Sequence, residues 1–318
     1  MFPWSSPTTP LRLDHFMAAA LHDPAAGYYA RRIRTVGHRG DFTTTALLSP
    51  ALPAAIASWA LKILRERGIR DLIELGPGDG SLAAGILAKL PWWKRPRLHL
   101  VESSQSLRDV QFRKLGNKVT WHPDITSALA SCGGRACLYS NEFFDAFPVR
   151  QFRFDEPGWS EAYTLPDSII WEKADALPIS SIFARTWSRG QVIEVHEAWR
   201  AWFEDFCPQW KEGAMLSIDY GALPESIYER RPRGSLRAYF HHQLITGLEI
   251  LARPGHQDIT ADVNFTDLIA CMPQAQHRLM SQRDFLLPFA SATDAGDQHS
   301  IDPHGAGHSF LVLESIRC

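Results

Sequence analysis

The chain has 318 residues, of which 45% are hydrophobic and 21% charged, and its 33 basic and 35 acidic residues give a formal net charge of −2. This ordinary globular composition excludes wholesale disorder and collagen-like or coiled-coil structure. The balanced charge, without a Lys/Arg-rich tail, leaves no electrostatic footprint for nucleic acid. The length predicts one large domain or two small ones with a full hydrophobic core.

The five cysteines are odd in number and form no Cys-x-x-Cys pair. Neither a disulfide framework nor a zinc knuckle is therefore expected, and a reducing compartment fits best. Residues 1–15 lack the basic start and the apolar run of a signal peptide. The longest apolar stretch, residues 46–61, contains two prolines and is too short to span a bilayer. We expect a cytoplasmic protein that is not an integral membrane protein.

The first 68 residues are predicted to form helices and loops. Residues 14–21 have helical spacing and stop before Asp23-Pro24, and residues 51–67 predict a helix that ends at Gly68. Residues 31–41 are predicted to form a Gly- and Arg-bearing loop between these helices.

From Asp71 onward, predicted strands and helices alternate. The predicted strands are 71–75, 98–102, 119–124, 136–144 and 214–221, and the predicted helices are 81–90, 107–115 and 194–210. Such alternation is typical of a parallel sheet with right-handed crossovers. The fold class is therefore α/β with a Rossmann-like core, and residues 309–315 predict a closing edge strand.

Two segments interrupt this alternation. Alternating residues around the turn at 155–158 predict a β-hairpin. The predicted organisation is an N-terminal extension with a covering loop, half of the core, an inserted hairpin or lid, and the second half of the core with a loop insertion. The corresponding ranges are 1–68, 69–148, 149–190 and 191–318, with the loop insertion at about 222–262.

A glycine-rich turn, residues 74–80, follows the first strand of the core. Glycines allow the backbone to approach a ligand closely and to adopt positive φ. A dinucleotide fingerprint, Gly-x-Gly-x-x-Gly, would end in Gly or Ala where this chain has Ser81. The tighter Gly-x-Gly-x-Gly spacing favours a smaller ligand without a pyrophosphate, and we predict S-adenosyl-L-methionine. The predicted contacts from this turn are Glu74, Gly76, Gly78 and Gly80.

Two acids end the next two predicted strands. Glu102 is expected to accept hydrogen bonds from the ribose hydroxyls of the cofactor, and Asp124 one from the adenine amino group. Both would lie with the glycine turn at the carboxyl ends of the strands, where open α/β sheets bind ligands. The alternative interpretation is an ordinary strand-to-helix turn with surface acids.

The fourth strand leads into an acidic and aromatic motif. Its predicted acceptor-side residues are Asn141, Glu142, Phe143, Phe144 and Asp145. Paired carboxylates can bind an arginine guanidinium bidentately and localise its charge, and phenylalanine rings offer a cation an aromatic face. The alternative is a helix N-terminus, where acids are favoured by the helix dipole, with phenylalanines in the core.

Two further clusters have both a structural and a functional interpretation. Gly40-Asp41-Phe42-Thr43 could fold over a ligand or form a helix cap. Gln257-Asp258-Ile259-Thr260 is typical of a turn with a capping acid. Five histidines in loop segments lack carboxylate partners at ligand spacing, so we expect no metal site. These histidines are His241, His242, His299, His304 and His308.

Several blocks of the sequence occur together in one order. They are IELGPGDGSLAAGIL, LHLVESSQSLRDVQ, NEFFDAFPVRQF, SIDYG, SLRAYFHHQ and PGHQDITADVNFTDL, and DPAAGYYA and GDFTT precede them. The chain thereby closely resembles the S-adenosyl-L-methionine-dependent methyltransferase family that contains the mitochondrial complex I assembly factor 7 and its MidA-like bacterial relatives. The similarity runs from about Asp14 to the C-terminus.

This resemblance implies a class I methyltransferase core with family-specific insertions, which binds S-adenosyl-L-methionine. It implies cofactor roles for the three glycines and Glu102, and acceptor-side roles for Asn141, Glu142 and Asp145. It also makes GDFTT and QDIT, with Gln257, Asp258 and Thr260, expected walls of the active site. The activity it implies is methylation of a protein arginine in respiratory complex I assembly. A methyltransferase for a small molecule or another nucleophile and a cofactor-binding assembly chaperone with little turnover are the alternatives.

The chain departs from the family pattern on the acceptor side. GDFTTTALLSP lacks the usual Pro-Glu pair, and Asp262 stands where relatives often have His. Gly305-Ala306-Gly307 replaces the usual Met-Gly before the final strand. The cofactor motifs remain intact.

Overall fold

The computed structural model describes residues 9–31, 49–229 and 231–318. Its strands are β1 (Leu11–Arg12), β2 (Asp71–Leu75), β3 (Arg97–Val101), β4 (Val119–His122), β5 (Cys137–Asn141), β6 (Arg150–Phe154), β7 (Trp159–Leu165), β8 (Ser168–Lys173), β9 (Val192–Val195), β10 (Gly213–Ala222), β11 (Arg237–Phe240), β12 (Gln243–Ile245), β13 (Asp258–Thr260), β14 (Val263–Asn264), β15 (Gln276–Ser281) and β16 (Phe310–Arg317). Its α-helices are α1 (Leu13–His22), α2 (Tyr28–Arg31), α3 (Ala51–Arg67), α4 (Ser81–Lys89), α5 (Gln105–Leu115), α6 (Ile125–Ser131), α7 (Ala198–Phe206), α8 (Phe265–Ala270), α9 (Gln282–Leu286), α10 (Ala295–Ser300) and α11 (Ala306–Ser309).

The chain divides into two compact units. The first unit consists of Met1–Ile33, Phe144–Ala201 and Gly221–Cys271, and the second of Arg34–Phe143, Trp202–Tyr220 and Met272–Cys318. The chain therefore passes from the second unit to the first directly after Phe143.

The second unit contains a sheet in the order β15-β16-β10-β5-β2-β3-β4. Strands β4, β3, β2, β5 and β10 are parallel, and β16 is antiparallel to both β10 and β15. Residues 71–75 of β2 are buried throughout, as expected when helices cover both faces of a parallel sheet. The core includes Leu52 and Ile56 of α3 and Ile86 of α4.

The first unit contains two further sheets. In one, β1, β7, β6 and β9 follow one another, and β8 pairs with β7; the other has the order β12-β11-β13. Phe152 of β6, Ile193 of β9 and Ile182 belong to one buried cluster of this unit.

Most predicted elements of the core are confirmed. Strand β2 has the predicted bounds, β3 ends one residue earlier than predicted, at Val101, and α3 ends at Gly68, whose φ is 62°. The predicted hairpin is confirmed, because β6 and β7 pair antiparallel with Phe154 opposite Trp159.

Two predictions of secondary structure are wrong. Residues 192–195 form the buried strand β9 before helix α7, so the predicted helix over 194–210 begins too early. The last strand is not an edge strand, since β16 pairs with both β10 and β15. The segment at about 222–262, predicted to be loop-rich, also contains the short strands β11, β12 and β13, which form one sheet.

Within the described residues, no helix combines the length and the apolar character needed to cross a membrane.

Candidate active site

The carboxyl ends of four parallel strands bring the candidate site of the second unit together. Leu75, the last residue of β2, is opposite Val101 of β3 and Ser140 of β5, and Ile218 of β10 is opposite Asn141. The segments that follow these strands therefore meet at one edge of the sheet, which is where open α/β sheets bind ligands.

The glycine turn after β2 has the backbone geometry that requires glycine. Gly76, Gly78 and Gly80 have φ values of 61°, 53° and 78°, a region that residues with a Cβ rarely adopt. A Cβ on Gly76 would also lie 2.8 Å from Cδ2 of Phe143. The turn is thus left-handed and packs against Phe143, while Gly76 itself is exposed.

Glu74 lies in β2, one residue before the last of the strand. The Tyr139 hydroxyl donates a hydrogen bond of 2.8 Å to Glu74 Oε2. Burial raises the pKa of Glu74 to about 8, although the hydrogen bond from Tyr139 lowers it. This carboxyl group therefore carries a proton at neutral pH and supports the turn from inside the sheet; its contact with the cofactor stays a prediction.

Glu102 directly follows β3 and is only 7% exposed. Its Oε1 accepts a hydrogen bond from the Ser104 backbone N–H at 2.8 Å, and its Oε2 accepts one from Gln111 Nε2 at 3.2 Å. Burial raises the pKa of Glu102 to about 7, and these hydrogen bonds act in the opposite direction. The carboxyl group is thus held in one orientation and is poised to change charge near neutral pH.

Asp124 has a structural role that accounts for one of its oxygens. Its Oδ1 accepts a hydrogen bond of 2.7 Å from the Ser127 N–H and caps helix α6. Strand β4 ends at His122, so Asp124 lies two residues beyond the strand that it was predicted to end. Its contact with adenine stays a prediction.

The residue after β5, Glu142, has an unusual backbone. Its φ is 53°, and non-glycine residues in this region commonly mark functional sites. The Glu142 N–H donates to the Ile218 carbonyl at 2.9 Å, and Asn141 Nδ2 donates to Glu142 Oε1 at 3.0 Å. Oδ1 of Asn141 is buried and has no hydrogen-bond partner among the described residues. The Glu142 backbone is therefore bound to β10, and its carboxylate is bound to the neighbouring Asn141 amide.

Asp219 of β10 fixes the next residue of this turn. It is fully buried, and its Oδ2 accepts a hydrogen bond of 3.2 Å from the Phe143 N–H. Its Oδ1 accepts one of 3.0 Å from the Tyr220 N–H. Sequence reasoning does not assign Asp219 to the site, although an acid near the end of a predicted strand is a signal that could have found it.

The predicted acceptor-side residues from Phe144 onward belong to the first unit. The Phe144 carbonyl accepts a hydrogen bond of 3.1 Å from Trp199 Nε1, and the Asp145 carbonyl accepts one of 3.1 Å from the Ala261 N–H. The Asp145 side chain is buried. This backbone hydrogen bond connects Asp145 to Ala261, the residue directly after β13, and β13 contains Asp258 and Thr260.

A second residue that sequence reasoning missed, Tyr29, contacts Asp258. The Tyr29 hydroxyl donates a hydrogen bond of 2.7 Å to Asp258 Oδ1. Its pKa lies well above the usual value, because the phenol is buried and because Asp258 and Asp145 oppose its ionisation. Tyr29 thus stays a neutral donor and positions the Asp258 carboxylate.

Gln257 and Thr260, which lie near Asp258 in the sequence, each have a buried polar atom without a hydrogen-bond partner among the described residues. Gln257 Nε2 donates to the Ile250 carbonyl at 2.6 Å, but Gln257 Oε1 and Thr260 Oγ1 are buried without a partner among the described residues. Because buried polar atoms normally form hydrogen bonds, these two atoms fit a surface that a bound molecule completes. Gly40, Asp41, Phe42 and Thr43 lie outside the described residues.

The departure at Asp262 is explained by an ion-pair cluster. The Asp262 carboxylate is buried and binds the guanidinium groups of Arg231 and Arg237. The Ser235 hydroxyl accepts a hydrogen bond of 3.0 Å from the Asp262 N–H. Asp262 therefore holds this part of the first unit together by its own contacts.

Among the residues that the structure describes, one group of potential metal ligands lies in the second unit. Ligand atoms of Asp71, His99 and Cys132 are within 4.8 Å of one another. Nε2 of His99 lies 3.0 Å from Asp71 Oδ1, and Arg97 binds the other oxygen of Asp71. These hydrogen bonds and the ion pair with Arg97 explain the cluster without a metal ion. The expectation of no metal site stays a prediction.

The sheet order and the glycine turn followed by Glu102 define the class of protein as a Rossmann-like, class I methyltransferase fold. A family profile described as "Putative S-adenosyl-L-methionine-dependent methyltransferase" matches residues 55–281. The chain therefore belongs to this family of S-adenosyl-L-methionine-dependent methyltransferases.

Curated relatives and a solved structure agree with this assignment. The chain is 27% identical to protein arginine methyltransferase NDUFAF7, mitochondrial, of Rattus norvegicus over 88% of this chain and 70% of that protein. Against the Homo sapiens protein of the same name, identity is 26% over 82% of this chain and 65% of the relative. A Burkholderia thailandensis crystal structure bound to S-adenosyl-homocysteine is 26% identical with a TM-score of 0.84, covering 97% of this chain and 88% of that one.

The residues of the second unit fit the cofactor of the family, S-adenosyl-L-methionine. The backbone of the glycine turn is exposed at Gly76, Glu102 offers a buried carboxylate, and Asn141 offers a buried oxygen that has no partner among the described residues. These three features supply a close backbone approach, an acceptor for hydroxyl groups and a further polar contact.

Proposed function

We propose that this protein transfers a methyl group from S-adenosyl-L-methionine to an arginine side chain of a protein substrate. The observation that carries this proposal is the position of Glu142, whose backbone has a φ of 53° and which directly precedes Phe143, the residue that packs on Gly76. An acid fixed next to the glycine turn is placed to bind a cationic acceptor close to the cofactor.

Bound S-adenosyl-L-methionine supplies an electrophilic sulfonium methyl group. The task of the chain is to place a nucleophilic nitrogen in line with it and to exclude water. The Glu142 carboxylate would accept hydrogen bonds from the guanidinium and localise its charge away from the attacking nitrogen. The carboxylate can then take up the proton that this nitrogen loses.

The names of the curated relatives support arginine as the acceptor, since they are called protein arginine methyltransferases. We further propose that the substrate is a subunit of a respiratory complex, which the resemblance to the family of complex I assembly factor 7 supports. Cytoplasmic location is also proposed, because none of the five cysteines forms a disulfide, as is usual in a reducing compartment.

A small-molecule acceptor is the second candidate. The missing Pro-Glu pair after Gly40-Asp41-Phe42 and the Asp262 ion-pair cluster favour it, because both alter the acceptor side relative to the family pattern.

Methyl-labelled cofactor distinguishes the candidates. The purified protein is incubated with it and, in separate reactions, with arginine-containing peptides, their Arg→Lys counterparts and a pool of small nucleophiles. Labelled methylarginine in the hydrolysed peptides, absent with the Lys counterparts and with the Glu142→Gln variant, is expected. If only the small-molecule pool becomes labelled, the acceptor is a small molecule and not arginine. Cofactor binding without label in any acceptor, together with co-purification of a respiratory subunit, would favour an assembly chaperone.

A further inference from the structure

The side chain of Gln111, on helix α5, contacts both the glycine turn and Glu102 of the candidate cofactor site. It is fully buried and forms three hydrogen bonds to groups on other segments of the chain. Its Nε2 donates to the Gly78 carbonyl at 2.7 Å and to Glu102 Oε2 at 3.2 Å, and its Oε1 accepts from Trp121 Nε1 at 2.9 Å.

These three partners determine which side chain can stand at position 111. The Gly78 carbonyl and the Glu102 carboxylate require donors, whereas the indole N–H of Trp121 requires an acceptor. A primary amide of this length provides two N–H donors and one oxygen on one planar group. A carboxylate would face two acceptors, and an apolar side chain would leave all three groups without their partner.

Each of the three partners belongs to a different segment at the cofactor edge. Gly78 is in the glycine turn, Glu102 follows β3, and Trp121 is in β4, the strand before Asp124. The turn also packs on the stem of the same side chain, since a Cβ on Gly80 would lie 3.3 Å from Gln111 Cγ. One buried side chain therefore connects the ends of three strands.

We propose that Gln111 is a positioning residue of the cofactor site, which holds the glycine turn and the Glu102 carboxylate in the arrangement that receives the ribose hydroxyls. This inference rests on the proposed role of Glu102 as the acceptor for those hydroxyls. Gln111 acts through Glu102 and Gly78 rather than by contact with the cofactor.

The charge of Glu102 provides a readout that packing alone would not affect. Burial raises the pKa of Glu102 to about 7, and the hydrogen bond from Gln111 is among the interactions that lower it. Without that donor, the pKa rises further, so Glu102 is protonated over a wider range of pH. A protonated carboxyl group is a poorer acceptor for two hydroxyls, and cofactor affinity at neutral pH falls.

The experiment is a calorimetric titration with S-adenosyl-L-methionine across a pH series, for the wild type, Gln111→Met, Glu102→Gln and Gln105→Met. Methionine matches the length of glutamine but provides no donor. Gln105 is exposed at the start of the same helix, and its side chain donates to Asp109 one turn later, so Gln105→Met is the matched control. Gln111→Met is expected to weaken binding at neutral pH by about tenfold to a hundredfold.

The expected signature is a shift of the pH midpoint of affinity to higher pH in Gln111→Met, with recovery in alkaline buffer, and no shift in Gln105→Met. An unchanged midpoint in Gln111→Met overturns the proposal. If Gln111→Met does not fold, Trp121→Phe is measured instead, because it removes only the N–H donor that orients the Gln111 amide. Trp121→Phe is expected to shift the pH midpoint less, in the same direction. An unchanged midpoint in Trp121→Phe also overturns the proposal. Full affinity in Glu102→Gln would instead refute the role of Glu102, which separates the two failures.

Discussion

The Tyr139 hydroxyl donates a hydrogen bond of 2.8 Å to Oε2 of Glu74, across the neighbouring strands β5 and β2. Both side chains are buried, and Glu74 lies two residues before Gly76. Because burial raises the pKa of Glu74 to about 8, the sheet beneath the glycine turn contains an acid that is neutral in the folded protein at neutral pH.

This protonated acid predicts how stability depends on pH. In the unfolded chain Glu74 ionises near the ordinary glutamate pKa of 4.5, whereas folded Glu74 keeps its proton up to about pH 8. The unfolded state therefore binds fewer protons between these values, and the free energy of unfolding falls as pH rises through this window. The part of this decline that Glu74 causes is on the order of 4 kcal/mol.

Glu74→Gln is expected to remove most of this decline, and denaturant unfolding at about pH 5, 7 and 9 measures it. Glu66 is exposed on α3, so Glu66→Gln serves as the control and should leave the slope unchanged. The same slope in the wild type and in Glu74→Gln would show that another group is responsible.

Glu102→Ala is expected to abolish binding of S-adenosyl-L-methionine, because the ribose hydroxyls lose their acceptor. In the wild type, affinity should rise with pH through about 7, where Glu102 ionises. Calorimetric titration measures both effects, and the same titration with NAD should give no binding. Asp109→Ala, at an exposed site on α5, is the control. Unchanged affinity in Glu102→Ala would remove Glu102 from the site.

Glu142→Gln is expected to spare cofactor binding and to lower methyl transfer by about a hundredfold or more, since the amide keeps the shape of the turn without the charge. Calorimetry and a labelled-methyl assay on the same preparation separate the two effects. Undiminished turnover would dismiss Glu142 as the acceptor-side residue.

Tyr29→Phe tests the acceptor-side role of Asp258. Removal of the hydroxyl takes away the 2.7 Å hydrogen bond to Asp258 Oδ1, and loss of a hydrogen bond to a charged group corresponds to about a tenfold change or more. We expect KM for the acceptor to rise by about tenfold, with a smaller change in kcat. Tyr163→Phe, in β7 of the same unit, is the control. Steady-state kinetics at saturating cofactor measure both constants. An equal KM for the acceptor in Tyr29→Phe and Tyr163→Phe would contradict the role of Asp258.

The features that can be predicted from sequence are those with a local signal. The turn around Gly76 and the acid Glu102 are recognisable because glycine spacing and strand ends are visible in a few consecutive residues. Gln111 gives no such signal, since its partner Gly78 is 33 residues away and a lone glutamine on a helix is usually solvated. Tyr29 becomes meaningful only through its contact with Asp258.

The errors in the fold have the same origin. The position of β16 depends on pairing with β10 and β15, which are distant in sequence. Strand β9 contains Glu194, whose buried carboxylate accepts hydrogen bonds from Gln151 Nε2 and Ser235. A charged residue with such distant partners looks, in the sequence alone, like the start of a surface helix.

Two glycines with the same backbone conformation offer a final test of the turn. Gly68 and Gly76 have φ values of 62° and 61°, so alanine at either position would be strained by about 1–2 kcal/mol. A Cβ at Gly68 would meet no described atom within 4 Å, whereas one at Gly76 would lie 2.8 Å from Phe143 Cδ2.

Gly68→Ala is therefore expected to lower the free energy of unfolding without changing cofactor affinity. Gly76→Ala should lower both, and also reduce methyl transfer, because displacement of Phe143 disturbs the adjacent Glu142. Denaturant unfolding, calorimetric titration and the labelled-methyl assay measure the three quantities. Equal cofactor affinity in the two variants would mean that the contact between Gly76 and Phe143 plays no part in the site.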